Sequence, residues 1–411
     1  MPGQTMGMAV FADTFIAELG LTRTELSTAY LFGTVGSALF LTRAGRWYDL
    51  YGARVMLVAA PVVLGATLCF ISVVDLLGAR LSRFLGVELA WVTFPLILLG
   101  YFGVRFSGQG VLTSASRNVL LVWFSKRRGL VSGVRGVFVS LGFSIAPLLL
   151  VLLIGALGWR GALWAMAGGV GIGFALLALL TVRDRPEVCG LLADGRLEHE
   201  DDALGTRYAA PDKTLGQARR DPVFWMYAAS LSMHALFGTA VTFHIAAIFA
   251  EVGRSREEAF AYFLPQAVVS VIVNLCASAA ADYVRLKPFL VMMLLCFLIG
   301  AWGVINLHSA EGYWMLVFGF GAGGGLWGVL SNLAFIRHYG ALHLGEISGL
   351  NTAVTVLASA IGPVAFSVAN DYFDTFDAAA YGCMIGLILL LIMSIALPQP
   401  GDFDPRGSRG L

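Results

Sequence analysis

Arg105 is the residue whose type and place most demand chemistry. It lies about 13 residues into the apolar stretch 92–122, near mid-depth of a hydrocarbon core of ~30 Å, where a charge costs at least ~2.5 kcal/mol. A guanidinium held there can take a carboxylate or another anion through two parallel N–H donors. The competing structural use is bonding to backbone carbonyls of the next stretch. Gln109, one turn on, adds an amide beside it. Arg117 and Arg135 lie within about two turns of the ends of stretches 92–122 and 130–153, a depth that suits an ion-pair gate with Asp49 and Asp282.

Three further groups are placed for proton coupling: Asp13 in stretch 1–18, and His234 and His244 in 222–249. Histidine changes charge near neutral pH, and burial raises a carboxylate toward that range. Interhelical hydrogen bonds are the plainer use of the same side chains. The amides Gln266, Asn274 and Asn332 serve either a solute or helix packing, since amides also join helices in lipid. Glycine clusters such as Gly319 to Gly328 read as close-packing faces, with no phosphate-binding lysine behind them.

All of these groups must be positioned by elements that live in lipid. Of 411 residues 58% are hydrophobic and 13% charged, against about 25% charged in soluble domains, and the mean hydropathy is +0.79. Apolar runs near 1–18, 26–42, 55–77, 92–122, 130–153, 159–182, 222–249, 257–280, 288–307, 312–336, 348–369 and 378–397 predict twelve transmembrane helices. The first is short and predicts a truncated helix. The loops on one side carry eighteen Lys and Arg against six on the other, which predicts a multi-pass protein of the cell membrane, plasma or bacterial inner, with both termini cytoplasmic. A net charge of +1 with scattered basic residues gives no nucleic-acid footprint. Cys69, Cys189, Cys276, Cys296 and Cys383 are too dispersed for a disulfide framework or a zinc site, and no cofactor is implied.

A repeat organises the chain. Phe15-Ile-Ala-Glu-Leu-Gly-Leu-Thr-Arg23 matches Ile248-Phe-Ala-Glu-Val-Gly-Arg-Ser-Arg256 at an offset of 233, which also sets Asp49 on Asp282 and Arg54 on Lys287. Gly129-Leu-Val-Ser-Gly133 then matches Gly345-Glu-Ile-Ser-Gly349 at an offset of 216, and Pro147 falls on Pro363. The change of offset predicts extra residues in the first half. Asp75 to Trp91 is their expected place, read as a long loop, with a short helix as the alternative. The domain reading is a six-helix bundle over 1–182, a polar cytoplasmic linker over 183–221, a second bundle over 222–398 and a tail over 399–411.

Gly45-Arg-Trp-Tyr-Asp49-Leu-Tyr-Gly52-Ala-Arg54 resembles the loop motif between the second and third helices of the major facilitator superfamily. Ser278 to Lys287 keeps its acid and its basic end. Arg105-Phe-Ser-Gly108-Gln109-Gly110 resembles that family's fourth-helix arginine motif, and Gly142 with Pro147 its glycine–proline motif, echoed at Gly362-Pro363. Gly108-Gln-Gly110 with Trp123 to Gly129 looks most like the monocarboxylate and oxalate–formate branch, although helices eight and eleven hold Gln266, Asn274 and Asn351 where that branch often carries a basic residue. The resemblance implies two bundles rocking about a mid-membrane site, with Asp49, Asp282, Arg117 and Arg135 as gate. It also implies a monomeric secondary transporter, not an enzyme, that moves a small organic solute by symport or antiport. Three buried arginines favour an organic anion such as a monocarboxylate, with protons as candidate coupling ion. Proton-driven efflux of drugs is the rival within transport. A non-transporting membrane sensor is the rival outside it.

Overall fold

In the computed structural model, which describes residues 8, 10–197 and 212–398, the chain is almost wholly helical. Among those residues nine helices are long and apolar enough to cross a membrane. Between their ends, helices satisfy their backbone polar groups internally, which hydrocarbon demands. Large apolar side chains point outward: Leu152, Leu180, Phe243 and Leu264 are each at least 70% exposed, which water would not tolerate in such number. Residues 1–7 and 9 of the first expected helix, the linker stretch 198–211 and the tail 399–411 lie outside the described residues.

Helix α1 (Ala12–Leu19) ends at Gly20, whose φ of 64° only glycine adopts without strain. A capping box then starts α2 (Arg23–Ile71): Thr22 accepts the Glu25 amide, and Glu25 accepts the Thr22 amide. The second repeat keeps the glycine and one bond of the cap at the same offset. Gly253 has φ 74°, and the Ser255 hydroxyl accepts the Glu258 amide at 3.1 Å. Helix α2 carries the expected second and third spans end to end, broken where Gly52 takes φ 85° and ψ 170°.

The region 75–91 departs from the loop expectation. Val74–Leu85 is a helix, α3, closed by Gly86 at φ 66°. Its buried Val74 and Gly78 are four residues apart, so they share one face, and Gly78 seats against Thr93. Asp75 in its first turn pairs with Arg160, which also donates to the Ser72 carbonyl at 3.2 Å. Local amphipathicity and this ion pair order what loop composition left open.

Helix α4 (Leu89–Val104) continues through a π-helical segment, Arg105–Leu112, into α5 (Thr113–Trp123). Helix α6 (Arg128–Met166) turns at Gly158 and passes through a second π segment, Ala167–Phe174, into α7 (Ala175–Thr181). A two-stranded antiparallel hairpin follows, β1 (Leu191–Leu192) with β2 (Arg196–Leu197). The rest comprises α8 (Leu215–Ala218), α9 (Pro222–Glu251), α10 (Arg256–Ala261), α11 (Phe263–Ala281), α12 (Leu286–Ile305), α13 (Ala310–Tyr339), α14 (Leu344–Phe373) and α15 (Asp377–Ala396).

Two compact units result. One holds the chain up to Val119 with Phe138–Gly190 and Ser348–Ala353; the other holds Leu120–Val137, Leu191–Ile347 and the chain from Val354. Leu64, Leu68, Ile71, Ile97 and Val104 centre the first core. Gly65 and Gly171 let α2 and the second π segment touch backbone to backbone. In the second unit α13 lies between α11 and α12 through its glycines. Gly321 and Gly325 meet the α11 backbone at Gln266 and Ser270, while Gly319 rests on Gly300 of α12.

A methyl group at Gly319 would collide with the Gly300 backbone, whereas one at Gly142 would meet nothing within 4 Å among the described residues. Gly319→Ala is expected to cost about 1–3 kcal/mol and Gly142→Ala nearly nothing, read as thermal midpoints of the purified protein.

Candidate functional site

The first unit's polar centre forms where α2 runs beside α4 and its π segment. Gly33 permits this approach: a side chain there would strike the backbone at Leu98 and Phe102. Farther along, Leu41 occupies the space that a side chain at Gly110 would need. The π turns are secured by hydroxyls. Ser107 donates to the Gly103 carbonyl at 2.6 Å, and Thr113 reaches the Gly108 carbonyl five residues back at 3.1 Å. Such bulges inside α-helices are frequent at functional positions.

Arg105 opens this segment. It is 6% exposed, and its guanidinium carbon lies 5.2 Å from the centre of the Tyr30 ring. Tyr30 in turn meets Tyr101 edge to face at 5.2 Å. The ring face offers its negative quadrupole to the cation, so the charge sits in an aromatic seat. About one turn on, the side-chain carbonyl of Gln109 is buried with no hydrogen-bond partner among the described residues. Thr34, four residues beyond Tyr30 on α2, has a buried hydroxyl in the same condition. Such groups are rare, because leaving a buried acceptor unmet costs about 1–3 kcal/mol, and they mark places where a ligand or water completes the bonding.

In the second unit His234 is stacked on Phe297 at 4.7 Å and tilted against Trp327 at 5.0 Å; its Nδ1 is buried without a partner among the described residues. His244 is engaged differently. Its Nε2 is 3.0 Å from the Pro363 carbonyl, to which it can only donate, and Ser367 Oγ is 3.4 Å away. Asn274 donates to the Gly325 carbonyl at 3.0 Å and fills the space over Gly136 and Gly328, so it joins α6, α11 and α13. Asn332 donates within α13 to the Gly328 carbonyl at 2.8 Å, and Gln266 lies half-buried in α11. Asp13 lies in α1, and its side chain is outside the described set, as is that of Pro147 in α6.

The basic end of the helices has a consistent chemistry. Helix C-termini leave four carbonyls without intrahelical donors, and a cation there also meets the negative end of the helix dipole. Arg54 donates twice to Leu179 O, at 3.1 and 2.7 Å, near the end of α7. Its repeat partner Lys287 donates to Ile395 O at 2.8 Å and Leu397 O at 3.0 Å, at the end of α15. Arg128 caps α5 through Leu121 O and Phe124 O at 2.9 and 2.7 Å, and Arg337 caps α11 through Ala281 O and Val284 O. Carboxylates meet the opposite need at helix starts. Asp282 accepts the Gly129 amide at 2.7 Å and the Leu130 amide at 3.1 Å, at the start of α6. Burial pushes the Arg128 guanidinium down to about 10; the Arg337 charge acts the same way, while Asp194 and Asp282 oppose both.

Gly45, Asp49 and Gly52 lie in α2, and Arg117 in α5 is half-buried like Arg135 in α6. The first loop motif gains a partner that sequence reading missed. Asp184 accepts the Arg54 amide at 2.8 Å and fills the space over Gly52, which explains the glycine at φ 85°. Also missed were Tyr30, Asp194 and Asn118, whose amide donates to Ser348 Oγ at 3.2 Å. Spacing to a motif offers no signal for Asp184, which stands 130 residues from its partner.

Comparison with known proteins gives a profile described as Major Facilitator Superfamily over residues 3–363. A probable sulfoacetate transporter of Cupriavidus necator is 24% identical over 183 residues, an alignment spanning 44% of this chain and 38% of that relative. Among solved structures, a bacterial homologue of the iron transporter ferroportin matches with a TM-score of 0.68 at 16% identity, over 94% of this chain and 93% of that one. A proton:xylose symporter matches at 0.60 and 16%, over 96% and 91%. The E. coli fucose:proton symporter matches at 0.62 and 13%, over 94% and 95%. At these identities the structural likeness is one of fold.

Because Arg54 and Lys287 cap different helices, Arg54→Gln and Lys287→Gln should each lower stability by about 0.3–1 kcal/mol, and the double variant by their sum. Thermal unfolding of the three variants checks this.

Proposed function

This chain belongs to the major facilitator superfamily and is a multi-pass membrane protein, and we propose that it is a secondary transporter whose solute is a small organic anion bound at Arg105. The observation that carries this reading is a guanidinium 6% exposed, seated on Tyr30 within a π-helical segment. Its planar fork matches a carboxylate or sulfonate bidentately. Gln109 then takes a hydrogen-bond donor of the solute on its unmet carbonyl oxygen. The sequence relative described as a probable sulfoacetate transporter adds support, because sulfoacetate carries both a carboxylate and a sulfonate.

In this reading the two repeats form six-helix bundles over 1–182 and 222–398 joined by the linker. The chain works as a monomer in the cell membrane with both termini cytoplasmic, and transport proceeds by alternating access. Asp282 is the gate group. Its cap on the Gly129 and Leu130 amides is strong enough to hold one state, and exposed enough at the basic end to exchange for water in the other. Protons are the coupling ion, with His234 and His244 as the titratable groups within the second unit. Two transporters of the same fold are proton symporters by description.

Uptake into proteoliposomes under an imposed proton gradient tests the reading, with sulfoacetate and simple monocarboxylates as solutes. Arg105→Ala is expected to reduce uptake at least about tenfold, the equivalent of one lost charge-assisted bond, and Arg105→Lys to retain part of it. Undiminished anion uptake by Arg105→Ala would remove Arg105 from recognition.

A further inference from the structure

Asp194 sits at the tip of the β1–β2 hairpin with φ 68° and ψ 14°, a left-handed conformation that aspartate tolerates better than most residues. Its side chain is spent on another part of the chain. The two carboxylate oxygens accept the Ser125 amide, each at 3.3 Å, and one accepts the Lys126 amide at 2.9 Å. Those amides belong to the connection between α5 and α6, whose Lys126, Arg127 and Arg128 are three consecutive cations. Like charges this close repel one another.

Three residues beyond Lys126 begins the pair that Asp282 caps, Gly129 and Leu130. Between the two carboxylates, Arg128 turns back to close the α5 end on Leu121 and Phe124. The connection is thus pinned from both sides, with every partner inside the second unit. Gly129 lies close against α11: a side chain there would collide with the Ser278 carbonyl. The approach of this backbone to α11 therefore depends on where residues 125 and 126 are held.

We propose that Asp194 is a positioning residue of the gate. By holding Ser125 and Lys126 it sets the start of α6 in register for the Asp282 cap, so the linker hairpin governs how readily that cap releases during transport. This rests on the gate role given to Asp282 above.

Hydrogen exchange of the full chain in lipid nanodiscs, resolved to single amides across 121–130, tests it on two variants. Asp194→Gly keeps the left-handed backbone and removes the carboxylate, whereas Asp194→Asn keeps the backbone preference and an acceptor. In Asp194→Gly the Ser125 and Lys126 amides should exchange about tenfold faster, the equivalent of one lost cap, and Gly129 and Leu130 should accelerate with them although Asp282 is untouched. Asp194→Asn should stay near the parent rate. In proteoliposomes Asp194→Gly should alter the maximal rate and leave KM unchanged. Parent-level protection of Gly129 and Leu130 in Asp194→Gly would overturn the proposal. Asp282→Asn, run in parallel, separates the two ideas: unaltered transport with those amides released would sink the gate role itself, independently of how Asp194 behaves.

Discussion

Helix ends in a membrane cannot rely on freely available water, and the satisfaction of their open backbone groups is the constraint on which the rest of this molecule depends. At the basic end four helix carbonyl termini are met by cations: Arg54 on α7, Arg128 on α5, Arg337 on α11 and Lys287 on α15. Helix starts are met by acids, Asp282 on α6 and Asp221 on α9. Charge asymmetry between loops is usually read as a topology signal. Here the same residues are structural bonds, so orientation and packing draw on one set of side chains.

The repeat becomes physical through these bonds. Arg54 and Lys287 stand 233 residues apart in sequence, and each closes a helix end, Arg54 that of α7 and Lys287 that of α15. Gly20 with Thr22 and Glu25 returns as Gly253 with Ser255 and Glu258, a left-handed stop followed by a capped start. The copies diverge where the first has Gly52 under Asp184. There the second repeat has Arg285, which cannot take that backbone without strain, and the chain turns by another route.

What could be read without coordinates follows from this. Lipid imposes helices and apolar faces so strongly that a membrane fold of many helices and the glycine packing of α13 are visible in composition and spacing. The short helix α3 was not, because a twelve-residue amphipathic run with Asp75, Arg80 and Arg83 has the composition of a loop until Arg160 and Thr93 are brought to it. For the site, Arg105 stands out by cost alone. Its seat on Tyr30 and the unmet carbonyl of Gln109 depend on two helices meeting and on a local change of helical pitch, neither of which leaves a periodic trace. Asp184 and Asp194 are legible only as acids in a polar linker; their work is long-range.

That change of pitch alters how span four can evolve. An α-helix advances about 100° per residue, so accommodating an additional residue within Arg105–Leu112 turns everything after it by roughly that angle relative to everything before. A stripe drawn by helical period from Leu89 therefore leaves its face at the segment and continues on another. Single-residue insertions or deletions confined to 105–112 would act as a rotary adjustment. They re-aim Asn118 and the α5 end against fixed Gly33 packing, which lets a lineage change which face α5 presents without exchanging one side chain for another.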